Sequence, residues 1–279
     1  MSSILTNSSA VVALQTLKSI NSNLSKTQDE ISTGKSIGSA KDNAAIWSIA
    51  KTMETDKESA LTVQKNLNVA GQTVSTALTG ANDVLKKLND IHKLIVSAGS
   101  SDMTFDTIQN QITELKNGIT ATIAGTQSNG VNLLSTNGIN GGDTYTVFSS
   151  LDRAGTTVTA SSITITSLDF EANLDLTGMT TITDEATAAT ALTEVQAMID
   201  TAQAGVTTLG ARGSRIADQA KFVGDLADSL KLGVSALVDA DMEESSARLQ
   251  ALQTQQQLGI QALSIANQAP SAILSLFRN

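Results

Sequence analysis

A chain of 279 residues with a net charge of −9 and no cysteine has room for one or two domains and excludes both disulfide frameworks and thiolate metal sites. Phosphate recognition needs clustered Lys and Arg, yet the one basic residue between Lys116 and Arg212 is Arg153, so no nucleic-acid partner is expected. Aromatic residues make up 3%, too few for a large central core, and there is no apolar run of about 18 residues to insert in a membrane.

The segment before Thr33 contains neither Gly nor Pro, and Ala10, Ala13, Leu17, Ile20, Leu24, Thr27 and Ile31 recur at heptad spacing. This predicts a helix with a seam weakened by Thr27, its start capped by Asn7, Ser8 or Ser9. The same segment lacks the basic start and continuous apolar stretch of a cleaved secretory signal, so export is expected by a route that reads none. Gly34 and Gly38 break the helix. After Lys41 a longer ladder begins: Ala60, Val63, Leu67, Ala70, Val74, Ala77, Ala81, Val84, Leu88, Ile91, Ile95, Ala98. No polar residue interrupts it, so one face of the helix must be buried against another helix. Gly99 to Asp102 ends it, and Asp102 or Thr104 caps a further helix carrying Phe105, Ile108, Ile112, Leu115 and Ile119.

From about Gly125 the helical period fades, and residues 137–183 are rich in Thr, Ser and Gly. Tyr145, Val147, Val158, Ile163 and Ile165 alternate with hydroxyl residues, the period-two pattern of strands; turns are expected at Asn140-Gly141-Gly142-Asp143 and Arg153-Ala154-Gly155. Two to four short strands are predicted. Thr183 or Asp184 then caps a second long helix, whose ladder is Leu192, Val195, Ile199, Ala202, Val206, Leu209, Gly213, Ile216, Ala220, Val223, Ala227, Leu230, Val234, Leu237. The core of the predicted coiled-coil rod is therefore Leu67, Val74, Leu88, Ile91 and Ile95 against Val195, Ile199, Val206, Leu209, Ile216, Val223 and Leu230. Each long helix is expected to run roughly 60 to 70 Å at about 1.5 Å per residue. From Asp239 onward a last helix is almost free of breakers. Leu249, Leu252, Leu258, Leu263 and Ile265 share it with a Gln-rich run, and Ile273, Leu274, Leu276 and Phe277 make an apolar tip beyond Pro270. Such a tip needs a partner, and intermolecular burial fits best because both ends of the chain carry the same unpartnered kind of helix.

Catalysis finds little to work with. His92 is the single histidine and, on a helix face, reads as solvent-exposed. Asp239-Ala240-Asp241-Met242-Glu243 fails as a calcium loop, with Glu244 where Gly is needed and Gln250 where a bidentate carboxylate is needed; Asp241 reads as a helix-start group. Gly210-Ala211-Arg212-Gly213-Ser214 lacks the Lys of a phosphate loop, and Arg212 and Arg215 are expected to pair with acidic residues on a neighbouring helix or subunit. No enzyme activity, cofactor or metal is expected.

Local motifs carry a family resemblance. Ser39-Ala40-Lys41-Asp42-Asn43-Ala44-Ala45, Thr126-Gln127-Ser128-Asn129-Gly130 followed by Leu133-Leu134, Asp239-Ala240-Asp241-Met242, and the ending Ala266-Asn267-Gln268-Ala269-Pro270 with Ile273-Leu274-Ser275-Leu276-Phe277-Arg278 occur in the order found in bacterial flagellins. Ile46-Trp47-Ser48-Ile49-Ala50 resembles the alphaproteobacterial variant. The resemblance covers roughly residues 1–135 and 185–279. It implies a mainly α protein: a long antiparallel coiled-coil rod with paired N- and C-terminal helices and a small β-rich insert. Residues 1–40 and 238–279 would form the inner tube of a filament, 41–135 and 184–237 the outer-tube rod, and 136–183 a surface-exposed insert, giving a thin filament. Inner-tube assembly would rest on Leu17, Ile20, Leu24, Ile31, Leu249, Leu252, Leu263, Ile273, Leu274, Leu276 and Phe277.

The implied function is a structural subunit that is exported and self-assembles into the extracellular flagellar filament for swimming motility. The implied partners are further copies of the chain, hook-associated and cap proteins, an export chaperone at the C-terminal helix and the flagellar type III export machinery. A hook–filament junction protein is the alternative, although such proteins match less well at the extreme C-terminus. The family's receptor-recognised face is altered at His92 and Lys93, which implies weak recognition by the vertebrate flagellin receptor. A generic coiled-coil secretion or adhesin subunit explains the ladders but not the ordered motifs.

Overall fold

The structure is a computed structural model that describes residues 7–98, 104–155 and 157–276. Its elements are α1 (Ser8–Thr33), α2 (Ala44–Ser97), α3 (Phe105–Gly125), β1 (Thr144–Ala154), β2 (Thr157–Thr166), α4 (Phe170–Asn173), α5 (Glu185–Val238) and α6 (Met242–Leu276). The chain divides into two compact units, residues 1–56 with 229–279 and residues 57–228, so the boundaries fall inside α2 and α5. Phe277 and the candidate cap Asp102 lie outside the described residues.

So many hydroxyl residues are poor helix formers because their side chains compete for backbone partners. Here the competition is absorbed inside the helix: Thr62, Thr76, Thr79, Thr113, Thr190 and Thr207 each donate to the carbonyl one turn earlier. Helix starts follow ordinary capping chemistry. The Asn7 carboxamide accepts from the Ala10 amide, and the Asp184 carboxylate accepts from the Thr187 amide at 2.8 Å. The Thr187 amide and hydroxyl hold the Asp184 carboxyl below the usual carboxylate range. At the start of α3, Thr104 occupies the cap position without a side-chain bond to the helix backbone.

In residues 57–228 the α2 ladder is the spine. All its rungs from Ala60 to Ala98 are buried, with Leu67, Leu88 and Ile91 fully so. Each fully buried Leu or Ile contributes about 1.5–3 kcal/mol. α5 runs antiparallel beside it. The backbone at Gly213 lies against Val74, that at Gly71 against Ile216 and that at Gly224 against Gln64, so numbers rise on one helix as they fall on the other. Val195, Ile199, Ala202, Leu209, Ile216, Val223 and Ala227 are buried, whereas Leu192 and Val206 are half-buried at its edge. α3 folds back along α2 in the same sense. Lys87 reaches the Thr122 hydroxyl at 3.1 Å, and Thr122 donates to the Asp83 carboxylate at 2.9 Å. Ile108, Ile112, Ile119 and Ile123 face the shared core, and Phe105 and Leu115 are half-buried.

β1 and β2 form one antiparallel hairpin with a bulge between Phe148 and Ser150. The bulge turns Ser149 inward, where its carbonyl accepts from Gln219 of α5 at 2.9 Å. Val147, Ile163 and Ile165 join the core, but Val158, near the hairpin tip, is exposed. The insert expected to be surface-exposed over residues 136–183 is corrected in one respect: the irregular segment after the strands buries Phe170, Leu174, Met179 and Ile182 in the same core. Arg212 donates to the Thr166 carbonyl, and among the described residues no salt bridge is formed by it.

Two glycines on α5 report how tightly this unit packs. A Cβ at Gly205 would lie 2.8 Å from Leu168 and Phe170, while one at Gly210 would meet nothing within 4 Å. Gly205→Ala is therefore expected to lower the urea-unfolding free energy by about 1–3 kcal/mol, and Gly210→Ala to raise it by about 0.5–1 kcal/mol through helix propensity.

A pH signature comes from the α2–α3 clamp. Lys87 chiefly, then Thr122, holds the Asp83 carboxyl below its ordinary value of 3.8. A depressed folded pKa stabilises the fold fully above the unfolded value, and that contribution is lost as pH falls below 3.8 through the folded value. Asp83→Asn is expected to flatten the acid limb of a melting-temperature profile in that window and to lower the neutral-pH melting temperature by a matching small amount, small because the carboxylate is partly solvent-exposed.

Candidate functional site

The remaining unit, residues 1–56 with 229–279, is built on α1 and α6, which pack as an antiparallel pair. The register is set by specific contacts. Asn7 donates to the Ala266 carbonyl at 2.7 Å, and Gln256 donates to the Asn21 carboxamide at 2.6 Å. A Cβ on Gly259 would lie 3.2 Å from Leu17 and 3.7 Å from Ile20. At the other end of the pair the Ala240 amide bonds the Gly34 carbonyl at 2.9 Å, where Gly34, at φ 69°, ends α1 in the left-handed conformation.

The α1 rungs Leu17, Ile20, Leu24 and Ile31 are half-buried, and Thr27, at 2% exposure, is the most enclosed residue of that helix. On α6 the inward series is Ser245, Leu249, Leu252, Gln256, Gly259, Leu263 and Ala266, stepping by four and three; of its leucines Leu252 is buried and Leu249 and Leu263 are half-buried. Ile273 and Leu274 are in helical backbone at the end of α6, as is Leu276; their side chains lie outside the description. The rung Leu230, expected in the rod core, belongs to this unit and is half-buried.

The family-like motifs prove to be chain punctuation. Asp42 accepts from the amides of Gly38 and Ser39 and from the Ser39 hydroxyl, closing the loop after α1. Ser39, by amide and hydroxyl, is the main reason its carboxyl sits below the usual range. Asn43 then caps α2 by accepting from Ala45 and Ile46, both at 3.2 Å. Asp241 caps α6 through the Glu243 and Glu244 amides, the helix-start role read from the sequence. His92 is half-buried on α2 rather than exposed.

What the sequence reading missed is the outer face of the α1–α6 pair. Val11, Val12 and Leu14 on α1 and Leu258, Ile260 and Ile265 on α6 are all 46–70% exposed. The register places the first trio beside the second, so they share the end of the pair that carries both chain termini. Its described part, residues 7–17 and 249–276, is free of formal side-chain charge. The first charged residue is Lys18, and none occurs between Arg248 and Arg278. An ordinary surface helix carries ionic groups, and burying one unpaired is costly. A greasy, solvent-facing surface of this kind is unusual for a surface helix.

This is the architecture of a helical structural subunit that builds assemblies from its own copies. Residues 4–139 match the bacterial flagellin N-terminal helical region, and residues 188–277 match the bacterial flagellin C-terminal helical region. A flagellin of Brucella melitensis is 42% identical over the whole of both chains. Flagellin FljM of Caulobacter vibrioides is 37% identical over all of this chain and 99% of its own, and flagellin C of Rhizobium meliloti is 34% identical over the whole of both. The chain belongs to the bacterial flagellin family. It is accordingly a structural, non-enzymatic subunit that polymerises with itself, and its place is the extracellular flagellar filament. Nothing in these relatives favours the hook–filament junction reading.

Among the described residues, Leu252 is the best-buried apolar anchor of the terminal pair. Leu252→Ala is expected to weaken that pair by about 2 kcal/mol or more. Amides of residues 10–31 should then exchange faster while those of α3 keep their protection, as read by hydrogen exchange with mass spectrometry.

Proposed function

We propose that the terminal helices and the long helices divide the work of the filament. Residues 1–40 and 238–279 form its inner tube, and the helices at 41–135 and 184–237 form the surrounding outer tube. The hairpin and the segment after it lie outermost. The observation that carries this reading is the uncharged, apolar end of the α1–α6 pair, where Val11, Leu14, Leu258 and Ile265 face solvent in the single chain. Leu17, Ile20, Leu24, Ile31, Leu249, Leu252 and Leu263 hold the pair together, and the apolar residues Ile273, Leu274, Leu276 and Phe277 that follow in sequence belong to the same assembly set. Before export the same surface needs cover, which fits a chaperone at α6 and passage through the flagellar type III machinery. Hook-associated and cap proteins sharing the terminal-helix design would bind at the filament ends.

Assembly from seeds tests the reading. Purified monomer added to short filament seeds is expected to grow long filaments of uniform width, seen by negative-stain electron microscopy. Ile265→Lys removes only an exposed apolar side chain, so monomer melting should stay within about 0.5 kcal/mol of the parent, whereas elongation should stop because a charge would be buried. Discrete rings or seed caps from the unaltered chain would return the junction alternative. Normal growth of the Ile265→Lys chain would remove the inner-tube assignment.

A further inference from the structure

The chain contains four Asn-Gly pairs, at Asn117-Gly118, Asn129-Gly130, Asn137-Gly138 and Asn140-Gly141, and the structure treats them very differently. We propose that Asn129 is a self-modifying site: its side-chain amide is lost by attack of the Gly130 backbone nitrogen, with water as the co-reactant, and an acidic residue is left in the turn that follows α3.

The geometry narrows the choice to Asn129 and Asn140, since Ile139 and Gly142 exchange both backbone bonds around a left-handed Asn140 and Gly141 as well, and the freedom of the glycine amide then separates the two. Ser128 and Val131 exchange both backbone hydrogen bonds at 2.9 Å, and the residues between them, Asn129 at φ 51° and Gly130 at φ 77°, are both left-handed. Two positive φ values in a two-residue connection define a type I′ turn. Rotating only the Asn129–Gly130 peptide plane converts this turn to type II′, in which ψ of the first central residue is about −120°. Glycine tolerates the change of φ sign that the rotation demands, and the Ser128–Val131 bonds can stay closed through it. In the rotated form the Gly130 nitrogen faces the side-chain carbonyl carbon of Asn129, the approach needed to close a five-membered ring. Nothing resists the rotation: both residues are exposed, a Cβ on Gly130 would meet nothing within 4 Å, and among the described residues the Gly130 amide donates to no acceptor.

The chemistry balances without a further reagent. The Gly130 nitrogen bonds to Asn129 Cγ, its proton is given up, and the Cγ–Nδ2 bond breaks with departure of ammonia. Water then opens the resulting succinimide. Attack at the side-chain carbonyl gives aspartate; attack at the backbone carbonyl gives isoaspartate, which lengthens the main chain by one atom. Either outcome adds a negative charge beside the buried Val131 and Asn132.

The other three pairs are restrained. Gly118 lies inside α3, where its peptide belongs to the helical hydrogen-bond ladder. The Gly141 amide donates to the Asn137 carbonyl at 3.2 Å. Gly138 is hemmed in, since a Cβ there would collide with the Asn132 carbonyl, and its own carbonyl holds the Asn132 amide at 2.7 Å.

Peptide mapping by mass spectrometry tests the proposal on the whole folded protein incubated in mildly alkaline buffer. Conversion of Asn129 to acid is expected at least about tenfold faster than that of Asn117 or Asn140, with isoaspartate among the products. In concentrated urea the difference should collapse, because every Asn-Gly pair is then equally free. Asn129 converting no faster than Asn117 in the folded chain overturns the proposal, as does a rate gap that survives unfolding.

Discussion

Everything in residues 57–228 depends on one continuous apolar seam on α2. The seam does not choose a single partner. It takes α5 along one side and α3 along another, and it receives the hairpin and the Phe170 segment into the same cluster. Small rungs make this economical in space: Ala70, Ala77 and Ala81 let backbones approach, while Leu67, Leu88 and Ile91 supply the area that burial converts to stability. Close approach also explains specific glycines. Gly80 sits under Thr126 and Gly205 under Phe170, where any Cβ would collide. The elements that lie against the seam are thus held both by area and by the absence of side chains at the points of contact.

The terminal pair follows a different logic. Its seam carries Thr27, Ser245, Gln256 and Gly259 where α2 carries Val and Leu. Polar rungs give up burial energy and contribute register instead, as the Asn21–Gln256 and Asn7–Ala266 bonds show. A pair so specified has one correct alignment and little stability to spare. Its punctuation is correspondingly strict, with Gly34, Asp42, Asn43 and Asp241 each fixing where a helix stops or starts.

How far the sequence discloses this depends on periodicity. The α2 and α5 ladders were legible because a heptad pattern of apolar residues has one physical solution, burial of that face. Phe170, Leu174 and Ile182 were not, since α4 is a single turn and the chain around it has no period from which to infer a buried face. Val158 and Val147 look alike in a period-two strand. The bulge after Phe148 and the position of the hairpin tip decide that one is exposed and the other buried, and neither feature is visible in alternation alone. Thr27 shows the converse error, a polar residue read as weakening a seam yet placed at its most enclosed point. The proposed assembly surface has a plain signal of another kind, the long stretches without a single ionic side chain near both ends of the chain. Apolar periodicity draws attention to what is present on a helix face, whereas an interface to be buried is also marked by what is excluded from it.

That exclusion links folding to polymerisation. Ordering each residue of α1 and α6 costs about 1–2 kcal/mol of backbone entropy. Against this the isolated pair sets several half-buried leucines and isoleucines, with Leu252 as a buried anchor. Val11, Val12, Leu14, Leu258, Ile260 and Ile265 add nothing while they face water. Packed against neighbouring copies, the same six side chains would contribute their full burial, on the order of 1.5–3 kcal/mol each, with no charge to desolvate. The balance therefore shifts toward order where neighbours are present. On the inner-tube reading proposed above, order in the terminal pair and contact with neighbouring copies would rise together, because the side chains left facing water are the ones a neighbour would cover.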